Sequence, residues 1–244
     1  MRSIVITGAG SGFGRALAQR LAADGDCIFL LGRTAAKVEA VARDLGGSCY
    51  AVACDVGSAD SVRQAFAQIA ERTEAIDVLI NNAAIYQPFF VKDATDAQIN
   101  DAVMTNLAGP IYCARAAIPM LKKGSHIINI GSETVTLPHA MFALYQSTKA
   151  GLERFSDALR TELEPSGIRV TLARAGQMMG PDSRPPTNDM NVLRQFAEEN
   201  LKRGLDLRAR PISSFGSAAE VVRTLIHLPP DINVPQIVLE AWRA

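Results

Sequence analysis

The chain has 244 residues, 48% of them hydrophobic, and Lys plus Arg balances Asp plus Glu at 25 each. That is apolar matter for one large core, and a balanced charge offers no field for nucleic acid or an anionic membrane, leaving a small-molecule substrate. No apolar run approaches the ~20 residues of a membrane span, and residues 1–7 enter a strand pattern with no secretory segment, so a soluble, cytoplasmic protein is expected.

In chain order, β-rich runs at 3–7, 27–31, 48–53, 78–81, 126–130, 169–173 and 236–239 alternate with longer helical patterns. Such alternation predicts βαβ units: an α/β chain with a Rossmann-like, doubly wound parallel sheet, helices on both faces, and one domain over residues 1–244. Several runs are apolar without alternation, as strands covered on both faces require. Right-handed crossovers bring the strand ends to one edge, where open sheets of this kind bind ligands. One helix is predicted over 97–121 with Pro110 inside it, another from Leu144 to about Leu163, ended by Pro165 and Gly167, and a third over 188–202. Residues 176–186, with Gly180, Pro181, Pro185 and Pro186, read as a loop. Cys27, Cys49, Cys54 and Cys113 lack metal or redox spacing, so free thiols and no metal site are expected.

The first strand runs into Thr7-Gly8-Ala9-Gly10-Ser11-Gly12-Phe13-Gly14, followed by a helical pattern led by Leu17 and Leu21. Glycines there permit positive φ and let backbone amides touch a pyrophosphate, whose charge is favoured at a helix N-terminus. Gly8, Gly12 and Gly14 are the expected contact and packing glycines. A glycine-rich turn often merely joins elements; its place between the first strand and the first helix is what points to a nucleotide. An NAD site usually carries an acidic residue about 20 residues further on. Here that region reads Leu31-Gly32-Arg33-Thr34, and the next acid, Glu39, falls inside the following helix. Arg33 is suited to a 2′-phosphate, with Ser11 or Thr34 adding a hydroxyl, so NADP is favoured and NAD stays open. The alternative is a solvated arginine near a helix start.

Tyr145 and Lys149, four residues apart, fall on one helical face. A free phenol titrates near ~10, and a neighbouring ammonium stabilises its anion, which suits reversible proton transfer. Alone, such a pair is common on helix surfaces. Ser132 adds context: it follows the apolar strand 126–130 at the functional edge of the sheet, where its hydroxyl can meet a carbonyl oxygen beside Tyr145. Asn106 lies four residues before Pro110, which has no N–H to return, so the Asn106 carbonyl is free for a water unless the proline simply kinks the helix.

Together, Thr7-Gly8-x-x-x-Gly12-x-Gly14, Asn81-Asn82-Ala83-Ala84, Asn106, Ser132 and Tyr145-x-x-x-Lys149 resemble the short-chain dehydrogenase/reductases of the non-extended group. The resemblance spans residues 4 to about 170. It implies an NADP-favouring oxidoreductase that moves a hydride between nicotinamide and the carbonyl or secondary alcohol of a small molecule. It implies Tyr145 as acid/base and Ser132 as the group that polarises the substrate oxygen. Lys149 would lower the Tyr145 pKa and bond the nicotinamide ribose, and Asn106 would hold a relay water. Asp55 would meet the adenine, though by itself it reads equally well as a turn or cap residue. Asn82 and Ala83 would line the adenosine side, and Ser11, Phe13, Val56, Gly176 and Met178 complete the expected cofactor contacts. A homodimer or homotetramer is implied, with Leu152, Phe155 and Leu159 as the pairing face.

The sequence departs from that pattern in three places. Ala175-Gly176-Gln177-Met178-Met179-Gly180 has Gly180 where the family commonly has a threonine for the nicotinamide carboxamide. Glu133 follows Ser132 directly and either faces solvent or favours a cationic or hydroxyl-rich substrate. The tail Glu240-Ala241-Trp242-Arg243-Ala244 replaces a usual Asp-Gly-Gly segment. Substrate choice is expected in 134–142 and 176–210: Thr134, Phe142, Gln177 and Met179, with Leu137, His139 and Arg184 nearby. Two other readings are weighed. A regulatory protein that senses the cofactor needs the glycine cradle but not the acid/base set; an extended-group epimerase is disfavoured by chain length and by Ser11.

Overall fold

The computed structural model describes residues 1–242; Arg243 and Ala244, the end of the divergent tail, lie outside them. The strands are β1 (Ser3–Thr7), β2 (Cys27–Gly32), β3 (Cys49–Ala53), β4 (Ile76–Asn81), β5 (Leu121–Ser132), β6 (Arg169–Ala175), β7 (Met178–Met179), β8 (Ser213–Ser214) and β9 (Gln236–Leu239). The helices are α1 (Gly12–Ala22), α2 (Ala35–Leu45), α3 (Ala59–Ala70), α4 (Asp96–Val103), α5 (Gly109–Ala117), α6 (Ala143–Leu163), α7 (Met190–Leu201) and α8 (Phe215–Ile226). Seven strands form one parallel sheet in the order β3-β2-β1-β4-β5-β6-β9; β7 and β8 pair separately.

Strand residues alternate between two apolar layers, which explains why the runs are apolar throughout. Val5, Phe29, Leu79, Ile127 and Val170 pack with residues of α3, α5 and α6. Ile4, Ile6, Ile28, Ile80 and Ile128 pack on the opposite side with residues of α1, α2 and α8. Ile4, Val5, Ile6 and Leu79 are fully buried, and each such side chain stabilises the fold by about 1.5–3 kcal/mol. The order in which strands are added reverses between the parallel neighbours β1 and β4, so the connections leaving their C-terminal ends run to opposite sides and leave a crevice at the sheet edge.

The structure amends four expectations. Strand β5 begins at Leu121 rather than 126, because the exposed residues Lys122, Lys123 and Gly124 extend it beyond its apolar half. The helix expected over 97–121 is four pieces, α4, a π-turn over Met104–Ala108, α5 and a 3-10 turn over Ile118–Met120. Pro110, with no N–H to donate, follows the wider π-turn. Residues 176–186 are not wholly irregular, since Met178 and Met179 pair with Ser213 and Ser214. Leu152 and Leu159 do not form a free pairing face: they are 1% and 4% exposed, and Phe155 packs against the same core as Leu159. The four cysteines are free thiols, Cys49 half-buried and the others buried. No described helix is long and apolar enough to cross a membrane, and no metal-ligating cluster of three or more His, Cys, Asp or Glu occurs among the described residues.

Candidate active site

A cavity of about 920 Å³ opens where β1 and β4 part, lined from Gly8 and Arg33 at one end to Ser132, Tyr145 and Lys149 at the other. The glycine loop forms its floor. Gly8 and Gly12 have φ of +68° and +57°, the left-handed region that only glycine enters freely. At Gly14 an added Cβ would lie inside van der Waals contact with the Gly8 carbonyl oxygen and 2.5 Å from Asn82 Nδ2. Thr7 and Asn82 hold the loop to the end of β4: Thr7 Oγ1 accepts from the amides of Asn82 and Ala83 at 3.0 Å, and Asn82 Nδ2 donates to the Thr7 carbonyl at 3.0 Å. The Asn82 amide is thus engaged with the loop, even though the residue lines the cavity.

Ser11 is the N-cap of α1 but makes no side-chain cap. The Gly12 amide instead donates to Asp182 Oδ2 at 2.7 Å. That carboxylate is a built-in stand-in for an anion: it marks the point where the helix N-terminus and the loop amides favour negative charge. Arg33, exposed after β2, lines the same cavity without a hydrogen-bond or ion-pair partner among the described residues, and Thr34 caps α2 without a side-chain bond. An anion-accepting loop, a crevice closed to any Cβ at Gly14 and a free guanidinium fit a dinucleotide with an additional phosphate on its adenosine end. Asp55 and Val56 line the cavity as well. Asp55 Oδ1 accepts from the Gly57 amide at 3.0 Å, so the turn role left open by the sequence is filled.

The other end is built on β5 and α6. Inside the sheet, Asn81 Nδ2 donates to Asn129 Oδ1 at 2.9 Å, and Asn129 Nδ2 to Ser156 Oγ at 2.9 Å. This buried polar chain pins α6 to β4 and β5. Lys149 is 2% exposed; its Nζ donates to the Ile130 carbonyl at 2.7 Å and lies 5.9 Å from the centroid of the Tyr145 ring. Burial lowers its pKa to about 8. The half-buried Tyr145 lies between Phe142, 5.3 Å away, and Tyr86, 6.2 Å away, by ring centroids. Ser132 lines the same end of the cavity beside it.

The expected lowering of the Tyr145 pKa is absent here. Desolvation pushes it up to about 12, the neighbouring Ser132 offsets only part of that, and Tyr86 and Glu133 raise it further. The physical reason is burial: the phenolate loses its solvation, and Lys149, 5.9 Å from the ring centroid and tied to a backbone carbonyl, does not offset that loss.

Asn106 is fully buried in the π-turn. Its side chain, rather than its carbonyl alone, is engaged: Oδ1 accepts from the Ile85 amide and Nδ2 donates to the Ile85 carbonyl, both at 2.8 Å, and Nδ2 also reaches Thr148 Oγ1 at 3.3 Å. It therefore fixes the loop after β4 against the residue preceding Lys149. Thr134 donates to Ser132 Oγ from its hydroxyl at 3.0 Å, which orients that serine rather than facing a substrate alone. Phe142, Gln177 and Met179 line the cavity, as do Gly176 and Met178; Met179 is 52% exposed.

Three features escaped the sequence reading. One is the Asp182–Gly12 contact, between residues 170 positions apart. Another is the fit of Gly180 against Phe215, where the side chain expected from relatives would collide with the ring. The third is a buried ion pair, Glu133 Oε2 with Arg210 Nη2 at 2.5 Å; Glu133 thus turns inward rather than to solvent.

The model of the short chain dehydrogenase family matches residues 2–190. The chain belongs to the short-chain dehydrogenase/reductase family. Serine 3-dehydrogenase of Rhizobium radiobacter is 30% identical over 245 aligned residues, covering 97% of this chain and 92% of that one. The NADP-dependent 3-hydroxy acid dehydrogenase YdfG of Salmonella typhi is 32% identical over 182 residues, 72% of this chain and 73% of its own. Among solved structures, a short chain dehydrogenase from Burkholderia cenocepacia J2315 in complex with NADP superposes with a TM-score of 0.83 at 26% identity, covering 98% of this chain and 96% of that one. The closed form of serine dehydrogenase complexed with NADP+ gives 0.79, also at 26% identity, covering 97% and 94%. These likenesses agree with the seven-stranded parallel sheet and make the chain a dehydrogenase/reductase.

An acidic oxygen on the Gly12 amide competes with any diphosphate bound there. Asp182→Asn is expected to tighten NADPH binding by roughly fivefold, measured by fluorescence titration, since one nearby negative charge costs on the order of 1 kcal/mol in water. Adenosine 2′-monophosphate, which lacks the diphosphate, should bind both proteins alike.

Proposed function

We propose that the protein catalyses NADP(H)-dependent interconversion of a secondary alcohol and its carbonyl on a small molecule. The observation that carries this reading is the convergence of Ser132, Tyr145 and Lys149 at the inner end of the cavity that begins at the glycine loop, with Lys149 Nζ 5.9 Å from the Tyr145 ring centroid. Gly8, Gly12 and Gly14 would cradle the diphosphate, and Arg33, with Ser11 or Thr34, the 2′-phosphate. Lys149 would bond the nicotinamide ribose. When bound, the nicotinamide supplies or accepts the hydride. Tyr145 gives the proton to the carbonyl oxygen in reduction and takes it back from the hydroxyl in oxidation. Ser132, held by Thr134, orients that oxygen, and Asn106 keeps the loop after β4 and α6 in register. The names of the relatives, a serine 3-dehydrogenase and a 3-hydroxy acid dehydrogenase, support a hydroxy acid as substrate. Homodimeric or homotetrameric assembly and a cytoplasmic setting belong to this reading on resemblance alone.

The intact Asn106, Ser132, Tyr145 and Lys149 set favours an enzyme over a cofactor sensor. The test is turnover of short hydroxy acids with NADP+, followed by the absorbance of reduced nicotinamide. In the same assay Arg33→Ala is expected to raise the KM for NADP+ by about 10- to 100-fold, the worth of a charge-assisted phosphate contact, while NAD+ kinetics barely move. Equal losses with both cofactors would contradict the assignment of Arg33.

A further inference from the structure

The wall facing Tyr145 is mostly apolar: Phe142, Phe196 and Leu207 line it, with the Phe142 and Phe196 ring centroids 4.6 Å apart. Into this wall the fold sets Glu133 and Arg210, paired at 2.5 Å with side chains 11% and 17% exposed. Burying two charges costs several kcal/mol apiece, and an apolar pair of similar size commonly serves stability as well or better. A pair placed next to Ser132, on the wall of the cavity, therefore calls for a reason other than folding. Both partners hold unused capacity. Glu133 Oε2 accepts from Arg210 Nη2, and among the described residues neither Glu133 Oε1 nor the rest of the guanidinium fork has a partner. The carboxylate lies close beside Gly176, where a Cβ would sit 3.2 Å from Oε2.

The neighbouring titratable groups narrow the complementary ligand. His139 lines the same cavity, and burial together with Arg210 lowers its pKa to about 4, so it is neutral. Lys149 is spent on the Ile130 carbonyl. Glu133 and Arg210 thus present a negative and a positive charge side by side near Ser132; Arg184 and Asp182 also line the cavity, Asp182 engaged with the Gly12 amide. An anion alone would meet the Glu133 carboxylate without gaining a new cation, and a cation alone would meet Arg210. An uncharged alcohol would leave both ions short of the water it displaces. A ligand carrying both charges converts one ion pair into four alternating contacts.

We propose that Glu133 and Arg210 anchor the substrate and select a small zwitterion, a hydroxy acid that also carries an ammonium group. Arg210 takes its carboxylate and Glu133 its ammonium, leaving the hydroxyl beside Ser132 and Tyr145. This rests on the oxidoreductase reading above and specifies its substrate class.

The experiment compares kcat/KM with saturating NADP+ for threonine, 3-hydroxybutanoate and 1-aminopropan-2-ol, secondary alcohols that carry both charges, the carboxylate alone and the ammonium alone. Threonine is expected to exceed each of the others by about tenfold or more, because a site built for polar partners rejects a ligand that leaves them unpaired. Glu133→Gln should bring threonine and 3-hydroxybutanoate together. The double variant Glu133→Gln/Arg210→Met removes both charges at once, so no lone buried ion threatens the fold. It should lose the preference entirely while NADPH binding, followed by fluorescence, stays within a few-fold. Calorimetric titration of the protein–NADP+ complex with threonine should give binding in the wild type and none in the double variant. Equal rates on all three compounds, or faster turnover of 3-hydroxybutanoate, would overturn the zwitterion assignment and leave the oxidoreductase intact. Absence of turnover on every alcohol, with NADPH still bound, would remove both.

Discussion

Tyr145→Phe is expected to lower kcat by about a thousandfold or more while the dissociation constant for NADPH changes by no more than a few-fold. Removal of a positioned acid or base costs on the order of 10²–10⁴ in rate, and here no other group stands ready to replace the phenol. Ser132 is committed to Thr134, and His139 is a weak base with its ring nitrogens buried and, among the described residues, unpartnered. The phenyl ring retains its packing against Phe142 and Tyr86, so the wall and the glycine loop stay in place and the loss appears in kcat rather than in cofactor affinity. With its pKa pushed up to about 12 in the cofactor-free protein, Tyr145 is a protonated phenol throughout the neutral range. It is therefore ready to act as an acid toward a carbonyl, and oxidation, which needs the phenolate, should gain more from rising pH than reduction does. Single-turnover measurements in both directions check this. A Phe variant that retains even a tenth of the wild-type rate would place the proton elsewhere.

The sequence carried the sheet well because its physics is local. Ser3–Thr7 and Gln236–Leu239 have the bounds that apolar content alone assigns, and the glycine loop falls between the first strand and the first helix as composition required. Legibility failed where a feature depends on partners distant in the chain or on backbone hydrogen bonding. Nothing in Met104-Thr105-Asn106-Leu107-Ala108 announces a π-turn; only Pro110 hinted at an interrupted ladder. Met178 and Met179 become a strand only by pairing with Ser213 and Ser214. The catalytic candidates were legible as types and spacings, but their electrostatics were not. A tyrosine and a lysine on one helical face suggest an ion pair, whereas burial disfavours the charged form of each, raising the tyrosine pKa and lowering the lysine's, and sequence carries no measure of that burial. Glu133 and Arg210 lie 77 positions apart, and no periodicity connects them.

The same burial makes Lys149→Met a test in which activity and stability move in opposite directions. Burial depresses the lysine from 10.5 to about 8, a differential interaction of roughly 3 kcal/mol against the charged form. The unfolded chain holds that proton more tightly than the folded one between pH 8 and 10.5. Stability contributed by this group therefore rises with pH across that window and is lowest below pH 8, where the folded protein must carry a buried ammonium. Methionine removes the penalty and forfeits the bond to Ile130, worth about 1.5–3 kcal/mol for a charged donor. At pH 7 the variant should be as stable as the wild type or up to about 1–2 kcal/mol more stable, a rise in Tm of a few degrees at most. From pH 8 to 10 the wild type should overtake it. Above pH 10 Tyr145, whose pKa is raised on folding from 10.0 to about 12, loses stability as pH climbs in both proteins, so the difference between them isolates the lysine. Turnover at pH 7 should nonetheless fall by about a hundredfold or more, because the one cation near the phenol is gone. Such a trade marks a charge held in place for chemistry at the expense of the fold. Thermal melts of both proteins from pH 6 to 10, set beside their kcat values, measure it. A Met variant destabilised at every pH by more than the bond to Ile130 is worth would mean that Lys149 supports the fold and nothing more.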